Sequence, residues 1–507
     1  MEDFATAAAK TGTYVGRVIA GGVQEYLGIR YAKPARRWKR AEPLEPSSKR
    51  IPALVDKPAC CQRVRRGEFP AGKPPMSEDC LYLNVWTSGV EGRKPVYVFI
   101  HGGGYIAGSC RTDYLGGVCC GDRFVAHYPD VVYVNIGYRL GPVGSMDLSR
   151  FEGGEAYSGS ANLQIHDQAL AIEWVHENIA AFGGDPDRIT VGGQSAGAYS
   201  AYLLMAIPEI AGMIKGVIAE SGAATDAVLA EEAASARRGF DRFFELAGCE
   251  TLQDALDLPI EDVVRYGWEA KFSPGCTSLF GPVCDGGDLA DKVQEVWESG
   301  ACSHVSLLAG TVAGEFASNA FGKTAEGVEA MIRGMFPGVA NDDIGAFLGN
   351  DPSRDGRTAM EDMLNDLLVR AVQSIAVESV VAGGSAAWAY YIDCTPEGSR
   401  TRARHCYELP YVADKLDCDL RLDENIGETL LGDAPDARFG RRIREAWHGF
   451  IVSGDPNRSG LDVEWPQYGE GRATMVMGPE WRAQGEVRPA DLDIARKYNE
   501  PAAAVVA

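Results

Sequence analysis

The chain is poor in positive charge and has no long apolar run and no linker, and each absence removes a class of function. Its 507 residues carry 49 Lys plus Arg against 71 Asp plus Glu, a formal net charge of −22. So acidic a surface repels phosphate backbones and anionic membranes, and no basic stripe offsets it. Arginine pairs such as Arg36-Arg37 and Arg441-Arg442 read as solvated surface. No stretch of roughly 18 consecutive apolar residues occurs, so no membrane span is expected. The opening residues, MEDFATAAAKTGTYVG, lack a basic segment leading into an apolar one, which predicts no signal peptide and a cytoplasmic protein. The thirteen cysteines are odd in number and thinly spread, which fits reduced thiols better than a disulfide framework. Neither Cys302-x-His304 nor the Cys119-Cys120 doublet has partners at metal-ligand spacing. A small molecule is the expected partner, with no nucleic acid and no membrane.

What is present is a mixed α/β pattern. Pro95–Ile100 and Val131–Ile136 are almost wholly β-branched or aromatic and read as strands buried on both faces, because they lack polar alternation. Apolar residues then recur at helical spacing from Asp167 to Phe182, where Phe-Gly-Gly-Asp-Pro stops the helix. Ile189–Val191 is a short strand candidate and Ala196–Met205 an apolar helix. Further strands are expected at Ile214–Ala219, Val305–Ala309 and Trp388–Ile392. Strands alternating with helices indicate a large, mostly parallel central sheet. Residues 225–300 and 321–380 are mainly helical in pattern and unlinked by Pro/Gly/Ser-rich segments. They read as insertions of a single domain spanning 1–507 that form the pocket walls. Residues 501–507 read as a loose tail.

The segment RITVGGQSAGAYS, residues 188–200, carries the first chemical signal. A strand running straight into a helix must turn within a few residues, and Gly193 and Gly197 leave room for that turn. Ser195 at its tip would project beside a helix N-terminus, whose free N–H groups favour developing negative charge. A serine nucleophile also needs an oxyanion site and a base. The three glycines after His101 follow an obvious strand and can turn backbone N–H groups inward. The competing phosphate-loop reading lacks the Lys-Ser/Thr ending. Of the seven histidines, His101 is committed to that loop, and His127, His166, His176 and His448 lie in or beside helical patterns. His405, in a loop beyond the late strand, fits the order nucleophile, acid, histidine. Glu315 follows a strand and is the preferred acid, with Asp393 and Asp285 as weaker choices.

These motifs resemble those of the type-B carboxylesterases, α/β-hydrolases that include para-nitrobenzyl esterases and cholinesterases. The likeness runs from about Gly12 to Met477. It includes Tyr26–Pro34, SEDCLYLNV at 77–85, HGGGY at 101–105, NIGYRLG at 135–141, FGGDP at 182–186 and GQSAG at 193–197. FGPVCDG at 280–286, HCYELPYV at 405–412 and SGDPN at 453–457 follow. The resemblance implies an α/β-hydrolase fold, and a serine carboxylesterase that hydrolyses uncharged carboxylic esters through an acyl-enzyme. It assigns Ser195 as nucleophile, Glu315 as acid and His405 as base, with the amides of Gly103, Gly104 and Ala196 as oxyanion hole. No metal or organic cofactor is implied, and relatives occur as monomers and dimers. Gln194 stands where the family most often has an acid, which argues against cationic choline esters. Arg30 replaces a usual proline, in a hairpin expected at the surface. Cys406 adjoins the base, where an ordinary loop cysteine is the simpler reading. In secreted relatives a cysteine matching Cys60 pairs with one matching Cys80; reduced thiols are expected here. The alternatives are a specialised amide, carbamate or secondary-metabolite hydrolase, or a non-catalytic interaction protein of the same fold.

Overall fold

The computed structural model describes residues 3–500 apart from 35, 66, 274–279, 286, 288, 419 and 422–425, so the expected tail at 501–507, Gly286 and the middle of the 225–300 insertion lie outside it. Its centre is a 13-stranded sheet. Seven neighbouring strands run parallel, in the spatial order Val132–Ile136, Lys94–Ile100, Gly184–Gln194, Ile214–Glu220, Ser306–Val312, Ala387–Ile392 and Thr474–Met477. Antiparallel strands flank them, including Phe4–Ala9, Gly12–Val18, Gln24–Arg30 and Tyr82–Thr87 on one side. Among the described residues no helix is long and apolar enough to cross a membrane.

The apolar strands do alternate, but between two buried faces. Val96, Val98, Ile100, Val132, Val134 and Ile136 enter one core, while Tyr97, Phe99 and Tyr133 enter the core on the opposite face. Both faces are covered by helices, so neither needs polar residues. Leu163–Asn178, Ala196–Met205 and Asp226–Ala247 cover the first face, and Ala437–Ser453 covers the second.

The expected elements occur, with shifted ends. The helix expected from Asp167 begins at Leu163, and its last turn tightens into a 3-10 segment at Ile179–Phe182 before Gly183 turns away at φ 78°. The strand expected at Ile189–Val191 extends over Gly184–Gln194, because Gly184 pairs back to Lys94 across a register shift that local composition does not encode. The 225–300 insertion resolves into Asp226–Ala247, Leu252–Asp257, Ile260–Lys271 and Val293–Glu298. Between 321 and 382 lie Ala325–Met335, Asn341–Asn350, Gly356–Asn365 and Ala371–Ala382. These pack with Pro489–Arg496 around a third core. Asp362, buried beneath that layer, accepts ion pairs from Arg354, Arg402 and Arg488 at 2.6–3.0 Å. A buried carboxylate with three guanidinium partners stays ionised, and it ties the helical layer to the sheet's carboxyl edge.

Close packing is tightest where the strand Gly184–Gln194 enters the helix Ala196–Met205. A methyl group on Gly197 would lie 2.0 Å from the Ile100 carbonyl oxygen, and one on Gly193 would lie 2.5 Å from the Gly197 carbonyl carbon. Backbone cannot yield as a flexible side chain can. Gly197→Ala is therefore expected to cost about 1–3 kcal/mol of stability, read as a lower denaturant midpoint at unchanged m-value.

Candidate active site

Five neighbouring parallel strands deliver their carboxyl ends to one edge, where an open α/β sheet offers a crevice. Lys94–Ile100 leads into His101, Gly184–Gln194 into Ser195, Ile214–Glu220 into Ser221, Ser306–Val312 towards Glu315, and Ala387–Ile392 into the loop that carries His405. Residues as far apart as Glu315 and His405, 90 positions in sequence, meet there because the parallel strands end at the same edge.

Ser195 occupies the corner with φ 59° and ψ −123°, a conformation that L side chains rarely adopt. Three contacts hold it. Its N–H donates to the Glu220 carbonyl at 2.8 Å, its carbonyl accepts from Tyr199 N at 2.9 Å, and the space above its carbonyl is free only because residue 222 is glycine. The glycine loop lies directly against it, since a methyl on Gly102 would stand 3.1 Å from Ser195 Cβ. Gly103 at φ 113° and Gly104 at φ 61° turn the loop, and only glycine fits at 103, where a methyl would meet the Ala107 carbonyl oxygen at 2.1 Å. Among the described residues, the N–H groups of Gly103, Gly104 and Ala196 donate to no protein acceptor. Donors left open beside a hydroxyl suit an oxyanion. His101 itself is buried and stacked on Tyr138 at 4.4 Å, and burial pushes it down to about 4. It is a neutral prop of the loop.

Glu315 and His405 meet as expected. His405 Nδ1 lies 2.6 Å from Glu315 Oε2, while Glu315 Oε1 accepts the Val312 N–H at 2.9 Å. The turn bearing Glu315 is clamped by Asn365, whose amide donates to the Ala313 carbonyl and accepts from Phe316 N. Gly314 N donates to the Ala403 carbonyl at 2.8 Å, which fastens the acid's turn to the loop of the base. Burial alone would lower the His405 pKa, but the hydrogen bond and charge of Glu315, with Glu408 behind, raise it above the ordinary 6.5. Asp393 and Asp285 do not reach the histidine; Asp285 instead binds Asn162 Nδ2 and the N–H of Leu289.

The base's second nitrogen has an unexpected neighbour. Nδ1 carries the proton given to Glu315, and Gln194 Nε2 lies 3.1 Å from Nε2 and 3.4 Å from Nδ1, against the ring and off the axis of the Nε2 lone pair. The Cys406 thiol fixes the amide's orientation by donating to Gln194 Oε1 at 3.1 Å. No hydrogen bond joins Ser195 to His405 among the described residues, and the Gln194 amide lies against the imidazole ring. Cys406 is raised well above the ordinary thiol range by burial and by the charge of Glu408, so it is an orienting donor and no reactive thiolate.

Sequence reasoning missed two further groups. Glu220 and Glu408 are both fully buried, served by Trp447 Nε1 at 2.7 Å and Tyr390 OH at 3.1 Å, and neither pairs with a Lys or Arg among the described residues. Burial raises both, and each raises or is raised by another acid, so the pair carries less than its full charge behind the base. The sole sequence signal was an acid at the end of one strand and another three residues after His405. The other departures are local. Arg30 grips Asp79 with two bonds of 2.6 and 2.7 Å and covers the Tyr82 ring, so the hairpin is pinned at that point. Cys60 and Cys80 are free buried thiols in contact, and Cys60 Sγ also accepts the Leu140 N–H at 3.2 Å.

Two pH profiles follow from these contacts. A base must be neutral to accept a proton, so activity is expected to fall as pH drops through a His405 pKa above 6.5. Glu315→Gln removes the raising interactions: its acid limb is expected to move to lower pH while kcat falls about 10³–10⁴-fold. Gln194→Glu replaces an amide donor with an acceptor for the protonated ring, and its acid limb is expected about one pH unit higher.

Comparison with known proteins identifies the family. The profile of the carboxylesterase family matches residues 5–334. The para-nitrobenzyl esterase of Bacillus subtilis (strain 168) is 31% identical over 90% of this chain and 92% of its own. The phenmedipham hydrolase of Pseudarthrobacter oxydans is 28% identical over 92% and 94%. The crystal structure of a carboxylesterase from Geobacillus stearothermophilus superposes with a TM-score of 0.80 at 27% identity, covering 96% of this chain and 99% of that one. With the parallel sheet, the helical insertions and the strand-to-helix corner at Ser195 in place, this α/β-hydrolase chain belongs to the carboxylesterase family.

Proposed function

We propose that the protein is a serine carboxylesterase that hydrolyses esters uncharged around the scissile carbonyl, through an acyl-enzyme on Ser195. The observation that carries this reading is the convergence of three features on one sheet edge: the strained Ser195 corner, the open amides of Gly103, Gly104 and Ala196, and the 2.6 Å contact of His405 with Glu315.

In the first half-reaction the Ser195 hydroxyl gives its proton to His405 Nε2 as its oxygen attacks the carbonyl carbon. Glu315 keeps Nδ1 protonated and stabilises the imidazolium that forms. The carbonyl oxygen becomes an oxyanion held by the three amides, each worth about 3 kcal/mol of barrier. The tetrahedral intermediate collapses, the ester C–O bond breaks, and His405 returns the proton to the departing alcohol. Water, deprotonated by His405, then attacks the acyl-enzyme and releases the acid and Ser195. The neutral Gln194 amide beside the base supplies no negative charge to attract a cationic alcohol, which favours uncharged groups there.

The test is hydrolysis of p-nitrophenyl acetate, butyrate and octanoate by wild type and Ser195→Ala. A pre-steady-state burst followed by turnover is expected in wild type. In the variant, kcat is expected to fall on the order of 10⁵-fold. Stoichiometric labelling of Ser195 by a fluorophosphonate should accompany the burst. A folded wild type that neither turns over these esters nor takes the label would overturn the mechanism.

A further inference from the structure

The ester reading assigns the reacting atoms but leaves the remote end of the substrate open. A cleft of about 870 Å³ lies between residues 61–64 and one face of the helix Ile260–Lys271. A narrower hollow shares Arg63 and Trp268 with it and adds Ile106, Lys271 and Phe280. Ile106 is two residues from Gly104. Gln62, on the cleft wall, bonds that same loop twice, donating to the Gly108 carbonyl and accepting its N–H, both at 2.8 Å. The cleft therefore ends against the loop that carries two of the proposed oxyanion donors.

Its charge runs against that of the chain. In a protein of net charge −22, the cleft presents Arg63, Lys73 and Arg265 against Glu261 and Glu269, and the narrower hollow that shares Arg63 with it adds Lys271. Arg265 is already engaged by Asp262 and Glu269. Arg63 has no carboxylate partner among the described residues, and its guanidinium lies 4.7 Å from the Trp268 ring centroid. Lys271 is half-buried and likewise forms no ion pair among the described residues. Burial first, and then the positive charge of Arg65, press its pKa below the ordinary 10.5, with Glu232 opposing. A cation taken partly out of water without a partner is costly, and an anion docking beside it recovers that cost. Between the amine and the oxyanion loop the lining is apolar, supplied by Ile106, Val264 and Phe280.

We propose that this cleft is a specificity site for the anionic end of the substrate: a carboxylate, joined by an apolar spacer to the ester carbonyl, that is held by Lys271 with Arg63 at the mouth. The proposal rests on the esterase reading and narrows its substrates to esters neutral at the reacting centre and negative at the far end.

The experiment compares substrates of equal length and leaving group. The p-nitrophenyl half-ester of suberic acid, with a free carboxylate, is set against the same molecule capped as its methyl ester. A second pair places the charge on the alcohol side: the butyrate ester of 6-hydroxyhexanoic acid and its methyl-capped form. For one of the two pairs the charged member is expected to have a kcat/KM about tenfold higher, mainly through KM. The advantage should shrink as salt rises. Lys271→Met should abolish the charged-to-capped ratio, Arg63→Met should reduce it, and Lys271→Arg should retain it. Each ratio is measured within one variant, so a general loss of folded enzyme cancels. Turnover of capped esters with no preference for charge in either pair, or a ratio unmoved by Lys271→Met, overturns the proposal and leaves the esterase reading standing. Absence of turnover on every ester overturns that reading first, and the specificity site with it.

Discussion

The structure depends on one tight corner. Ser195 can hold φ 59° only because the strand before it and the helix after it are locked together by contacts that admit no side chain at Gly193, Gly197 or Gly222. A backbone conformation of that kind costs about 1–3 kcal/mol and persists only where its surroundings overdetermine it. Here the surroundings are the sheet itself: the Ser195 N–H is bonded to Glu220 on the neighbouring strand, and the next residue over, Ser221, is bonded to Gly310 on the strand beyond. The strain is thus distributed across three parallel strands, and the hydroxyl is held at the edge where the glycine loop approaches.

Around that corner the electrostatics are graded. Glu315 faces His405 and raises its pKa, while Glu220 and Glu408 sit deeper, raised by burial first, with Glu408 adding to Glu220 and Glu315 adding to Glu408. A single full negative charge beside an imidazole favours the imidazolium that proton transfer creates; three full charges in the same volume would trap the base protonated. Partial protonation of the deeper pair avoids that outcome. The Gln194 amide lies against the ring, 3.1 Å from Nε2 and 3.4 Å from Nδ1, and brings no charge to it. Glu315 and Glu408 therefore set the poise of the His405 imidazole, and the orientation of the Gln194 amide beside it is set by the Cys406 thiol, which burial keeps protonated.

The positioning of Glu315 shows how distant structure enters the chemistry. Its turn is bracketed by Asn365, which ends the helix Gly356–Asn365, and that helix is anchored through Asp362 to three arginines from separate parts of the chain. That helical layer is thus also the frame of the turn that carries Glu315. This coupling explains why the insertion between residues 321 and 382 is buried on its inner side instead of forming a loose cover.

The sequence by itself determined the parallel strands and the glycine-flanked corner at Ser195; for the acid it left Asp393 and Asp285 beside Glu315, and the family resemblance singled out Glu315 and His405. Uninterrupted β-branched runs can only be strands buried on both faces, and glycines flanking a serine between strand and helix leave few other conformations. Those signals are local, and so they are legible in one chain. Tertiary structure alone decided what touches across the sheet edge. Nothing near Gln194 in sequence indicates that its amide meets His405, 211 residues away. Nothing near Glu220 or Glu408 shows that both lose their solvent and end together behind the base. The strand Gly184–Gln194 outgrew its local pattern because Lys94 offered it a partner. The cationic cleft was hidden in the same way. Arg63 and Lys271 lie on unrelated segments of an acidic chain, and only the packing of one helix beside the glycine loop brings their charges to a common wall.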